Sequence, residues 1–108
     1  MGGKTLTSTN PTDTYSIPTS TVPSNAVAIM SNVTVTNTTA WTFITVWPDN
    51  LTTETITSDV NWTGANQTVA NADNITLPPI GSTNQGKINL TNAFGSTNLI
   101  LDVYGYYA

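Results

Sequence analysis

The sequence predicts an all-β fold, a single domain built as an antiparallel β-sandwich of jelly-roll-like form. Three observations carry that expectation. Apolar and polar residues alternate with a period of two along Ala26 to Asn37, AVAIMSNVTVTN, as in a strand buried on one face. β-Branched and aromatic side chains dominate the apolar residues, which suits a pleated, half-buried surface. Turn chemistry interrupts the chain about every 8 to 12 residues, and no segment carries a helical period.

Residues 1–13 are polar and turn-rich, ending in Asn10-Pro11-Thr12-Asp13. A mobile N-terminal arm is expected there, with the sandwich spanning residues 14–108. Tyr15 and Ile17 alternate with Thr14 and Ser16 in a short strand stopped by Pro18, and Pro23-Ser24-Asn25 turns into the long strand. In that strand Val27, Ile29, Val33 and Val35 fall on one face, and Asn32, Thr34 and Thr36 on the other. Trp41 to Trp47, WTFITVW, is apolar on both faces and closes at Pro48-Asp49-Asn50. Thr52 to Trp62 alternates more weakly, with Ile56, Val60 and Trp62 expected inward, and Gly64-Ala65-Asn66 makes the next turn. Val69, and then Ile75 with Leu77, mark two short segments before Pro78-Pro79, which excludes a central strand at that point. After the loop Gly81 to Gly86 a hairpin is expected. Lys87 to Asn92 forms one arm with Ile88 and Leu90 inward, Ala93-Phe94-Gly95-Ser96 turns, and Thr97 to Tyr107 returns. There is no internal repeat.

Composition narrows the function classes. The 108 residues suffice for one core, burying roughly two-thirds of the unfolded surface. Only Lys4 and Lys87 are basic, against six carboxylates, so a phosphate backbone would be weakly repelled and no nucleic-acid partner is expected. Charged residues make up 7% of the chain, against about a quarter in ordinary domains, so Thr, Asn and Ser must solvate the surface. No apolar run approaches the length of a membrane span, and no membrane insertion is expected. The opening MGGKTLTSTN lacks the apolar core of a signal peptide. A start in the cytoplasm, or a chain cut from a larger protein, is the expectation.

With neither His nor Cys, the usual general bases and soft metal ligands are missing. The six acidic residues are scattered one per turn or strand end, and none forms a close pair in sequence of the kind a glycosidase uses. An enzyme is not expected, nor a cofactor or metal. Asp102, between Leu101 and Val103, is the one carboxylate in a strongly apolar strand and is expected to hold hydrogen-bond partners. The alternative is a calcium ligand acting with Asp49, Asn50, Asp73 or Asn74. Lys87 reads as a solvated loop lysine, the alternative being an isopeptide cross-link to an Asn, which needs a buried neutral amine. Asn-x-Thr triplets begin at Asn32, Asn37, Asn50, Asn61, Asn66, Asn74 and Asn89. Thr-rich strands generate them by composition.

The stretch Asn98 to Tyr107, NLILDVYGYY, completes a pattern with Ile17-Pro18, Val22-Pro23, AVAIMSNVTVTN, TVWP at Thr45 to Pro48 and QTVAN at Gln67 to Asn71. The chain resembles a small β-sandwich domain of actinobacterial secreted and surface proteins that is also met in virion proteins of their phages. The resemblance implies a non-catalytic module. The start at Met1 without a signal peptide departs from the secreted habit and favours a virion component, a capsid decoration or fibre domain. The alternative is a secreted cell-surface or carbohydrate-binding module, for which Trp47, Trp62 and Tyr106 are the candidate glycan platform.

Two strands, Trp41 to Trp47 and Leu99 to Tyr104, are apolar on both faces, whereas a sandwich strand turns one face to water. A patch of Ile44, Val46, Ile100 and Tyr104 is therefore the expected interface, giving a homo-oligomer, a trimer on a capsid lattice, or docking on a larger particle. Burial under a loop is the plainer alternative.

Overall fold

The structure, a computed structural model, describes residues 4–52 and 58–108. Its strands are β1 (Lys4–Leu6), β2 (Thr12–Ser16), β3 (Ala28–Thr36), β4 (Thr42–Pro48), β5 (Val60–Trp62), β6 (Val69–Thr76), β7 (Lys87–Asn92) and β8 (Thr97–Tyr107). They form two antiparallel four-stranded sheets, β1-β8-β3-β6 and β2-β7-β4-β5. The fold is a β-sandwich.

The long alternating strand lies inside the first sheet, paired with β6 on one side and β8 on the other. Its inward row, Ile29, Val33 and Val35, is fully buried. Cross-strand partners extend that row: Ile75 faces Ile29, Leu101 faces Val33 and Leu99 faces Val35. The second sheet answers with Ile44 and Val46 of β4, Ile88 and Leu90 of β7 and Val60 of β5. Each fully buried Val, Ile or Leu contributes about 1.5–3 kcal/mol.

That core decides which faces of the doubly apolar strands point inward, and it removes the expected patch. Ile44 is fully buried and Val46 nearly so, because the even positions of β4 meet the core while Phe43, Thr45 and Trp47 face outward. Ile100 is half-buried on the outer face of β8 and Tyr104 is exposed. β4 and β8 belong to different sheets, so Ile44, Val46, Ile100 and Tyr104 do not make one surface.

Three further expectations are corrected. β7 and β8 are not a hairpin: β7 pairs with β2 and β4, β8 with β1 and β3. The turn between them crosses from one sheet to the other, which lets Ile88 and Leu90 enter the same core as Leu99 and Leu101 from the opposite side. Gly95, at φ 66°, makes that turn, and a Cβ there would lie 2.9 Å from Thr39 Oγ1 and 3.2 Å from Ala40 Cβ. The two segments expected around Val69 and Ile75 are one strand, β6, continuous because β3 supplies it with eight registered partners. Ile56, expected inward, lies outside the described residues.

The third correction concerns residues 1–13. Lys4–Leu6 pairs with Thr97 to Leu99 and Leu6 is buried, while β2 begins at Thr12 rather than Thr14. Thr7 and Asn10 close the turn between these strands, with the Thr7 amide donating to Asn10 O at 3.1 Å and the Asn10 amide to Thr7 Oγ1 at 3.0 Å. Lys4 Nζ reaches Asp13 Oδ1 at 3.3 Å across the gap between the sheets. The anchor is Leu6, one inward residue in a three-residue strand, too short to register as a period. Leu6→Ala is expected to cost about 2–5 kcal/mol in urea unfolding, whereas Lys4→Ala, which loses a single ion pair whose lysine is solvated and whose Asp13 is partly covered, changes stability by about 1 kcal/mol.

Candidate functional site

The structure spreads the sequence-derived site residues over both ends and both faces of the sandwich. Trp62 is buried, its Nε1 donating to Ala40 O at 2.7 Å, so it holds a loop instead of offering a platform. Trp47 is half-buried on the outer face of β4 and donates from Nε1 to Thr91 Oγ1 at 3.1 Å. Tyr106 is exposed at the far end of β8. Trp47, Trp62 and Tyr106 therefore do not form a single glycan platform.

Asp102 is exposed opposite Asn32 on the outer face of the first sheet, where water solvates it. It has no need of the partners expected for a carboxylate in an apolar strand. The calcium set around it does not assemble: Asp49 accepts from Asn84 Nδ2 at 2.9 Å and Asn89 Nδ2 at 3.0 Å on the second sheet, and Asp73 faces Asp59. Among the described residues no three His, Cys, Asp or Glu side chains could share a metal ion. Lys87 is half-buried at the start of β7, beside Ser16.

Three features emerge as groups only in the structure. The first is a carboxyl pair. Asp59 stands just before β5, its amide donating to Ile44 O at 2.8 Å and its Oδ2 accepting from the Val46 amide at 2.7 Å. Asn71 Nδ2 donates to Asp59 O at 2.8 Å, bridging the two sheets at this edge. Asp73 lies on the inward row of β6, opposite Ser31. Burial raises its carboxyl from 3.8 to about 7, helped by a hydrogen bond to Asp59 and by the Asp59 charge, with the Asn74 amide opposing. Asp73 Oδ2 is buried and receives no amide or hydroxyl proton, so a bond between the two carboxyls requires that one of them carry the proton.

The second feature occupies the end of the sandwich where β8 finishes. Tyr104 is 64% exposed, Tyr106 and Tyr107 46% each, and Val27 47%. The Val27 amide donates to Tyr107 O at 2.7 Å, which brings Val27 and Tyr107 to one end of the first sheet. Tyr106 stands opposite inward Ile29 and Tyr107 opposite Ala28 on the outer row, and the register shift at Met30/Ser31 leaves Tyr104 without a partner on β3. Beside them is a groove of ≈ 340 Å3 floored by Ile17, Val22, Ala26 and Leu77, with Ser24 and Gln85 at its rim. Gln85 Nε2 donates to Ser24 O at 2.6 Å, tying the two loops. None of its lining residues is ionisable, so it offers no acid or base.

The third feature is at the opposite end. Trp41 is 65% exposed and Phe94 60%, with ring centroids 6.4 Å apart and planes tilted by 32°. They belong to loops far apart in sequence. Trp41 is legible as the first residue of a doubly apolar stretch and Phe94 as a phenylalanine inside the turn Ala93 to Ser96, but nothing in the chain pairs them.

No family model matches the chain, and no curated protein matches it. Among solved structures the chain is similar to the Drosophila NLP-core, a structure described for its pentamer formation and histone binding. The TM-score is 0.48 at 11% identity, over 94% of this chain and 93% of that one. A likeness at that level carries no argument about partner or assembly.

The carboxyl pair sets a pH dependence whose sign follows from its protons. Because the folded state holds the Asp73 proton up to about pH 7 and the unfolded state releases it near 3.8, the folded state binds more protons in that interval. Stability from this group therefore falls as pH rises from about 4 to about 7. In thermal unfolding, Asp73→Asn is expected to match the parent near pH 4 and to exceed it at pH 8, by roughly 4–8 °C for each kcal/mol recovered. Equal midpoints for parent and variant at pH 8 would contradict the shared proton.

Proposed function

We propose that this chain is a non-enzymatic structural domain of a virion surface, a capsid decoration or fibre component, that associates with further copies of itself through its tyrosine-rich end. The observation that carries the reading is the group Tyr104, Tyr106, Tyr107 and Val27, each about half exposed or more and gathered where β3 begins and β8 ends. Scattered apolar residues are ordinary on a protein surface, but here four large ones crowd one end of the sandwich, Tyr106 on the inward side of β8 opposite Ile29 and Tyr107 on the outer side opposite Ala28, so a partner gripping that end would cover both sides. The low charge of the chain, 7% of residues, lets such surfaces approach without repulsion or costly desolvation. The resemblance of the DVYGYY ending to surface and virion modules points the same way.

Magnitude shapes the proposal. A patch of roughly 300–400 Å2 at about 25 cal/mol per Å2 supplies about 8–10 kcal/mol. Immobilising one protein on another costs on the order of 4–15 kcal/mol. One such contact alone is near break-even. Repetition on a lattice, or closure into a ring with a trimer as the expected form, converts marginal contacts into stable attachment.

Sedimentation velocity over a wide concentration range is expected to show self-association of the full chain. Tyr104→Ser with Tyr107→Ser should return it to monomer while the far-ultraviolet spectrum stays unchanged. A monomer at every concentration, together with absence of the chain from purified particles of its source by mass spectrometry, would overturn the reading.

A further inference from the structure

We propose that Trp41 and Phe94 form a binding ledge for a neutral saccharide, at the end of the sandwich opposite the tyrosines. Both rings are well exposed on their own loops and adjoin one another, at 6.4 Å between centroids and 32° between planes, close enough for one ligand to touch both. The axial C–H face of a pyranose matches such a surface, because it is apolar and carries partial positive charge toward the negative face of the ring.

The loops that present the rings are fixed before any ligand arrives. The Thr39 amide donates to Ser96 O at 3.1 Å and the Ser96 amide to Thr39 Oγ1 at 2.9 Å, joining the Trp41 loop to the Phe94 turn. Asn92 Nδ2, at the end of β7, donates to Gly95 O of that turn at 2.9 Å. On the other flank Trp62 Nε1 holds Ala40 O, and buried Thr38 donates from Oγ1 to Gly64 O at 2.8 Å while accepting from the Gln67 amide at 2.9 Å. An exposed tryptophan on a loop anchored on both sides pays little further ordering entropy on binding. Nothing in the packing of the fold requires that ring at position 41, since the inward row of β4 begins at Thr42.

Charge selects the ligand. Residues 37–41, 63–67 and 93–96 contain no charged side chain. Lys4 is held by Asp13 at the sandwich edge, and Lys87 stands at the far end of β7. An acidic sugar or an anionic lipid surface would find no cation here. What surrounds the rings is amide and hydroxyl, exposed Asn66 and Thr63 among them, which hydrogen-bond sugar hydroxyls without the cost of desolvating an ion. The aromatic ledge supplies the apolar contact, the uncharged rim the polar one. The inference is independent of the virion reading, since a ledge of this kind suits a particle surface and a secreted module alike.

The test uses the full chain against an array of neutral and acidic glycans, followed by two-dimensional NMR titration with panels of neutral gluco-, galacto- and N-acetylhexosamine oligosaccharides. Saturable binding of a neutral glycan is expected, with a shift of the Trp41 indole resonance. Trp41→Ala and Phe94→Ala should each weaken it by about tenfold or more, and Trp41→Phe should retain part of it. Tyr104→Ser and Trp47→Phe should leave it unchanged, so failure of the tyrosine interface and failure of this ledge are separately visible. No neutral glycan shifting Trp41, preference for acidic glycans, or undiminished affinity in Trp41→Ala would each overturn the proposal. Loss of self-association in Trp41→Ala would also overturn it, by showing that a second copy covers the ledge.

Discussion

The fold depends on one constraint: β3 must bury every second side chain while being paired on both sides. Ile29, Val33 and Val35 leave no accessible surface, and the register with β6 and β8 carries that row across the first sheet. A slip of one residue would turn Asn32, Thr34 and Thr36 into the core and expose the valines. With so few charges on the chain, hydrophobic alternation has almost no competitor in setting register. The remaining strands take their inward faces from this one, including β4, whose own composition leaves both faces eligible.

Half of the scarce charges stand at the sheet margins. All four edge strands carry or adjoin one: Lys4 on β1, Asp13 on β2, Asp73 on β6 and Asp59 beside β5. Asp13 and Asp73 sit on inward rows, opposite Leu90 and Ser31. Inward-pointing charge at an edge discourages another strand from adding there, because pairing would bury the ion further. One margin is closed by opposite charges, the other by two carboxyls that must share a proton. The second arrangement is the less stable of the two above neutral pH.

The sequence made the fold class legible because its signals were local. The alternation of β3 and the prolines and glycines at turns can be read within a few residues. What escaped depends on distance. Whether Ile44 and Val46 or Phe43 and Trp47 face inward is settled by the opposite sheet, not by β4. The turn Ala93 to Ser96 suits a hairpin as well as a crossing, and only the need of Ile88, Leu90, Leu99 and Leu101 for a common core selects the crossing. Leu6 could not announce β1 alone. The Asp59–Asp73 pair and the Trp41–Phe94 ledge join segments that meet only once the sandwich closes, so neither had a spacing to find.

The pairing of β1 with β8 sets an order of events for synthesis. Thr5 Oγ1 donates to Asn98 Oδ1 at 2.8 Å, between residues 93 apart in sequence. At about 5–20 residues per second, the first strand waits roughly 5–20 s for its partner to be made. β2 waits nearly as long for β7. Half of the margins of the finished sandwich are thus the earliest segments to leave the ribosome and the last able to pair. Until then the nascent chain offers β3, which can already pair with β6, and β4, which can pair with β5, while the other side of each waits for β8 and β7.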